Sequence, residues 1–324
     1  MTQASGAIGP AAPGSGAAGP LGGGPRGSSP AARRLREQLI GWTFALPFLL
    51  VFLTFMAGPI AVSMILSLTD FGLRDLRNPL GTDFVGLDNY AALLGDAKFR
   101  SAILNTAYFV VVGVPLTLVL GLAAALALDR GIRHFRTLFR VGYYLPVVTS
   151  IVAIAVVWRF LLNPDQGLLN MLLATIGIDG PNWLADPTLA MPSIIVMAAW
   201  RNLGFVMIVF LAGLQTIPAQ LYEAASIDGA NRWQSFRSVT LPLLRPTVLF
   251  LLVITTIGYL QLFEEPFVMT DGGPLDRTLS ISMYMYQQGF EFFRQGYAAA
   301  IAWILFILVA IVAVIQFRLL RSET

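Results

Sequence analysis

Apolar residues in this chain come in long unbroken runs instead of recurring on one face of an amphipathic element. Six runs are long enough to cross the hydrocarbon core of a bilayer, which takes about 20 apolar residues. They lie near 41–68, 105–128, 138–162, 188–214, 241–265 and 297–317. Pro47, Pro59, Pro115 and Pro146 fall inside them, and membrane helices accept proline where neighbouring groups satisfy the freed carbonyls. The pattern predicts an all-α polytopic membrane protein with six transmembrane helices.

The polar stretches define the rest. Residues 1–30 are Gly, Pro, Ala and Ser with almost no large apolar side chain; such a segment buries too little to offset its ordering entropy and is predicted disordered. With the basic flank of Arg33, Arg34 and Arg36 it forms a tail over 1–36, followed by a transmembrane domain over 37–324. The apolar run after these arginines exceeds the roughly 7–15 residues of a signal-peptide core, so no cleaved leader is expected.

Charge sets the orientation. With the N-terminus in the cytoplasm, thirteen Lys and Arg fall on the cytoplasmic side and six outside, against five and eleven acidic residues. Basic residues are retained on the cytoplasmic side of membrane proteins, so both termini are expected inside, together with the 215–240 loop. Over the whole chain 56% of residues are hydrophobic and 12% charged, about half the charge of a soluble domain. A net charge of +3 is too small to imply nucleic acid. Lys98 is the sole lysine, which reads as the codon usage of a high-GC bacterium. The absence of cysteine and the single histidine, His134, exclude disulfides, thiolate or multi-His metal sites and His-based triads.

The cytoplasmic loop holds an ordered pattern, "EAASIDGANRWQSFRSVTLP", over residues 223–242. Pro218 suits the first turn of a helix. Leu221, Ala224, Ala225 and Ile227 recur at helical spacing, and Glu223 is expected near the N-terminal end, where the helix dipole favours a carboxylate. Asp228 and Gly229 end the helix through a left-handed turn. A second short segment with Trp233 and Phe236 suits a membrane interface. The residue chemistry alone fits either an interfacial helix or a low-relief surface for a partner.

The spacing Glu223-Ala224-Ala225, Gly229, Val239 and Leu241-Pro242 closely resembles the EAA loop, here 218–242, of membrane subunits of ATP-binding-cassette importers. Val239 stands where isoleucine is commoner. "FVGLDNYAALL" (84–94), "ILNTAYF" (103–109), "MTDGGPLDRT" (269–278) and "GYAAAIAWILF" (296–306) are similar to the outer loops and helices of MalF-like carbohydrate permeases. The resemblance covers about 37–320. It implies a coupling helix between the fourth and fifth spans that seats in a cytoplasmic ATPase, with Glu223, Ala224, Ala225, Asp228, Gly229, Leu241 and Pro242 at the contact. It also implies a second homologous permease subunit, two ATPase copies, an extracellular solute-binding protein, and a bacterial plasma membrane location. The chain lacks a GxxxxGK[ST] loop, so no cofactor is expected on it; ATP and magnesium belong to the ATPase, and the chain itself is not an enzyme.

Polar groups at membrane depth are costly and usually face an interior. Trp200, Arg201 and Asn202 form one such group, and Tyr259, Gln261, Glu264 and Glu265 another. Hydroxyl recognition and ring stacking make these suitable for a sugar path; pairing of Arg201 with a carboxylate across helices, and an interhelical bond from Gln261, are the structural alternatives. Tyr143, Tyr144 and Trp158 are weaker path candidates. Glycerol-3-phosphate or a related phosphodiester is the alternative cargo. A stand-alone facilitator or secondary transporter is the alternative class, although no internal repeat of the kind common in such transporters is visible.

Overall fold

The computed structural model describes residues 30–78, 81–130 and 136–320. The tail over 1–29 and His134 lie outside the described residues. The first described helix begins at Pro30.

The chain divides after Pro59 into two compact units. The first contains α1 (Pro30–Phe52), a π-helical turn over Leu53–Ala57 and the opening of α2 (Gly58–Ser67). Its side chains are mostly exposed aromatics and aliphatics such as Trp42, Phe44 and Phe48, the composition of a lipid-facing helix.

The second unit carries the remaining helices. They are α3 (Asp88–Gly95), α4 (Ala97–Arg130), α5 (Arg136–Val148), α6 (Ile151–Leu161), α7 (Leu168–Thr175) and α8 (Ala190–Gln215). After these come α9 (Ala219–Ile227), α10 (Arg232–Ser235), α11 (Leu241–Leu243), α12 (Arg245–Leu260), α13 (Glu264–Met269), α14 (Ile281–Tyr286) and α15 (Gln295–Leu320). Among the described residues no strand forms, and a single β-bridge joins Thr69 to Phe84.

Among the described residues four helices are long and apolar enough to span a membrane: Ile40–Ser67, Ala97–Asp129, Ala190–Gln215 and Gln295–Arg318. The other two expected spans are broken. Thr137–Val148 and Ile151–Leu161 meet at 100°, and Arg232–Leu243 and Arg245–Leu260 meet at 66°. The count is therefore four straight spans, or up to six if each bent pair crosses. The third run turns at Thr149 and Ser150, where Ser150 adopts ψ 127° and leaves the helix. The fifth is shorter than the expected 241–265: it ends at Leu260, Gln261 caps it, and Glu264 opens a separate short helix.

Helix α8 is the hub. Its Val206, Met207 and Phe210 pack with Ala125 and Leu128 of α4 and Leu251 of α12, while Ile194, Ile195 and Ala198 meet Phe109 of α4, Ile154 of α6 and Tyr259 of α12. Helix association within lipid depends on close van der Waals packing through small residues. At Gly204 of α8 the backbone of α5 is so near that a Cβ would lie 2.0 Å from the Tyr143 carbonyl oxygen.

A separate cluster joins α3, the start of α4, α14 and α15 through Leu93, Phe99, Met283, Tyr284 and Ile301. Asp96 ties it together. Its Oδ1 accepts from the Lys98 and Phe99 amides at 2.8 and 3.3 Å, capping α4, and its Oδ2 accepts from the hydroxyls of Tyr284 and Tyr297. Burial by itself would raise the Asp96 carboxyl; the four hydrogen bonds outweigh it and hold the group below its ordinary 3.8. A carboxylate depressed on folding contributes stability that is complete above its unfolded value and is lost as pH falls through the folded value. Asp96→Ala removes a cap and strands two tyrosine hydroxyls, so it should cost about 3 kcal/mol. The check is thermal unfolding of the detergent-solubilised protein: the difference between wild type and mutant should be full at neutral pH and shrink only below the ordinary carboxylate range.

Candidate functional site

The 218–242 loop folds as two short helices locked end to end. Pro218 has φ −60° and ψ 134°, so it is the N-cap and not, as expected, in the first turn. That shift moves the helix start to Ala219 and leaves Glu223 at its middle, with no acidic residue in the first turn. Dipole stabilisation confined to the end turn therefore does not explain Glu223. The C-terminus is as expected. Gly229 has φ +77°; its amide donates to the Ser226 carbonyl at 3.1 Å and the Ala230 amide to the Ala225 carbonyl at 2.9 Å. This pair of bonds is a Schellman motif, which needs a left-handed residue at the glycine position. Asp228 is the C-cap, its amide donating to Ala224.

Two residues later a capping box begins. Asn231 Oδ1 accepts from the Gln234 amide at 2.9 Å, and Gln234 Oε1 accepts from the Asn231 amide at 2.7 Å. The N-x-x-Q spacing is visible in the sequence as a helix-start signal. Trp233 stacks on Phe236 at 5.5 Å and is 68% exposed.

Helix α9 buries no residue against its own chain. Glu223, Ala224, Ile227, Asp228 and Gly229 are exposed and Ala225 is half-buried. The tether is Tyr222, whose hydroxyl lies 2.9 Å from that of fully buried Thr240. Thr240 ends a π-helical turn over Phe236–Thr240 that includes Val239 and leads into Leu241 and Pro242. Helix α9 is thus a short helix closed at its C-terminus by the Schellman motif, with an open small-residue face.

Deeper in the second unit a cavity of about 300 Å³ opens between α4, α6, α8, α12 and α13. It gathers Arg201, Asn202, Tyr259, Gln261, Glu264 and Glu265, residues drawn from both of the sequence clusters. Tyr259 is positioned by a 2.8 Å bond to Thr117 of α4 and by the Phe109 ring at 4.8 Å, and Asn202 Nδ2 reaches its hydroxyl at 3.5 Å. Among the described residues Arg201 forms no ion pair with either glutamate, and its Nε is buried without a hydrogen-bond partner. Pairing of Arg201 across helices is thus not seen, and Gln261 lines the cavity instead of bridging helices. Trp200 points elsewhere, half-exposed against Trp158 at 5.7 Å. Tyr143 and Tyr144 also lie apart from the cavity and are partly exposed.

Residues 113–323 match the model of the family described as "Binding-protein-dependent transport system inner membrane component". The chain belongs to this family. This inner membrane component is 38% identical over 291 residues to the probable ABC transporter permease protein YesP of Bacillus subtilis, covering 87% of this chain and 91% of that one. It is 37% identical to the lactose transport system permease protein LacF of Rhizobium radiobacter, covering 87% and 94%. Its fold matches a chain in the crystal structure of a bacterial alginate ABC transporter in complex with an alginate pentasaccharide-bound periplasmic protein, with TM-score 0.74, 26% identity and coverage of 90% and 98%. The inner membrane component is therefore a transport subunit of the membrane, with the fold of the ABC importer permeases.

Proposed function

We propose that this chain forms half of a sugar path through the bacterial plasma membrane and couples it to an ATPase through α9. Both termini and α9 face the cytoplasm, the side that the arginine distribution favours. Glu223, Ala224, Ala225, Asp228 and Gly229 make the contact, backed by Leu241 and Pro242, and the sugar passes the cavity of Arg201, Asn202, Tyr259, Gln261 and Glu264. ATP and magnesium reside on the partner. One α9 fits one ATPase cleft, so two ATPase copies require a second, homologous permease, and the cargo arrives on an extracellular binding protein.

The observation that carries this reading is α9 itself, closed at its C-terminus by a Schellman motif and with no buried residue. Energy applied there as a rigid push reaches the spans through the Tyr222–Thr240 contact and the α11–α12 bend, and packed interfaces switch between discrete arrangements instead of deforming continuously. A carbohydrate cargo is supported by the similarity to the lactose permease and by the mixed donors and acceptors of the cavity. A phosphodiester would need more cationic groups than the single Arg201 supplies there.

Because the chain has no cysteine, Ala225→Cys gives a unique thiol on α9. Thiol cross-linking in the assembled complex should join it to the cytoplasmic ATPase, while a thiol at Phe306→Cys in α15 should not. Equal cross-linking from both positions would remove α9 from the coupling role.

A further inference from the structure

The cavity residues differ in a way that bears on which sugars pass. Glu264 and Glu265 are carboxylates, which when ionised only accept hydrogen bonds; Arg201 only donates; Tyr259, Asn202 and Gln261 do both. Glu265 is 93% removed from solvent by neighbouring groups, with 7% exposure, while Glu264 is open to the cavity. Arg201 does not neutralise either of them by a direct pair, and its buried Nε lacks a partner. Glu264 as an acceptor-only wall and Arg201 as a donor-only wall thus face a common space of about 300 Å³, with the buried Glu265 beside them in the lining, at the lower end of the range of small-molecule sites.

A ligand that satisfies these walls must donate toward the glutamates and accept from Arg201. A hydroxyl does both with the same atom. A uronate carboxylate or a sugar phosphate only accepts; it would satisfy Arg201 but would leave its charge beside the glutamates, and like charges forced together in a poorly solvated space cost several kcal/mol. Specificity of this sort rests on a repulsive element as much as on an attractive one.

We propose that Glu264, with Glu265 next to it in the lining, acts as a charge filter that admits uncharged oligosaccharides and rejects acidic ones. The inference rests on the cavity being the sugar path, as proposed above, and adds the class of sugar and the residues that select it.

The test measures ligand binding at the cavity without the selectivity of a binding protein. The complete importer complex, purified in lipid nanodiscs and free of its binding protein, is heated with lactose, maltose or digalacturonate at ~10 mM, and stabilisation reports binding to the folded state. Lactose or maltose should raise the midpoint by about 2 °C or more and digalacturonate should not. In the Glu264→Gln and Glu265→Gln double variant, digalacturonate should stabilise the complex as well as the neutral sugars do. The single Glu264→Gln change, at an open position, should move in the same direction if the double variant assembles poorly. Stabilisation of the wild-type complex by digalacturonate equal to that by lactose overturns the filter and leaves the sugar path standing. Stabilisation by none of the three sugars overturns the sugar path at this cavity and the filter with it.

Discussion

Gly229→Val should abolish coupled transport while leaving the protein in the membrane at wild-type abundance. Gly229 sits at φ +77° and its amide and that of Ala230 close the Schellman motif on α9. A β-branched residue is a strong outlier at positive φ, and even an unbranched one pays roughly 1–2 kcal/mol there. The space around Gly229 is empty, with no atom within 4 Å of an added Cβ, so the effect comes from the backbone and not from a clash within this chain. With valine the turn must leave the left-handed region. The two capping bonds then break, and α9 and α10 lose their fixed angle. Uptake of labelled sugar should fall at least about tenfold, the effect of some 1.4 kcal/mol at the coupling interface, whereas ATP hydrolysis by the complex should no longer respond to cargo. Gly229→Asn should retain most of the uptake because asparagine tolerates this conformation. Wild-type uptake by Gly229→Val would show that α9 is not the coupling element.

Gly204→Val should act on the opposite property: the protein should fail to accumulate. A Cβ at Gly204 meets the Tyr143 carbonyl oxygen at 2.0 Å and the Tyr144 Cα at 2.9 Å, and backbone cannot swing aside as a flexible side chain can. Valine must push α5 away from α8, which opens the packing that supports the hub helix. Overpacking of this kind costs about 1–3 kcal/mol or more. Membrane abundance should drop severalfold and the purified remainder should melt earlier. Normal abundance and an unchanged melting midpoint would mean that α5 does not pack on α8 as described.

These two glycines also mark the limits of what a linear sequence discloses. Gly229 is legible because its role is local: a helix stop, a left-handed turn and an EAA pattern all fall within a few residues. Asn231 and Gln234 are equally local and were open to the same reading. Gly204 is not legible, since its meaning depends on Tyr143 of another helix. Asp96 joins Tyr284 and Tyr297 across 188 and 201 residues, and nothing near Asp96 announces them. Apolar runs located the helices but not their bends, because hydropathy is blind to direction; Ser150 and Gln261 interrupt the helices without lowering the apolar content enough to show. The cavity was half legible. Polar residues at membrane depth include Arg201, Asn202, Tyr259, Gln261, Glu264 and Glu265, which line the cavity, whereas Trp200, grouped with them by adjacency in sequence, does not, since successive residues on a helix point about 100° apart. It lies outside the cavity, against Trp158.

On the proposed function, this chain moves sugar only when a separate ATPase drives it. The most direct measurement is uptake of a labelled oligosaccharide into proteoliposomes containing this chain and its companion permease, with the binding protein added, in the presence and absence of the ATPase subunit. ATP-dependent accumulation only when the ATPase is present is the predicted result. Accumulation of sugar by the permeases without any ATPase would contradict it.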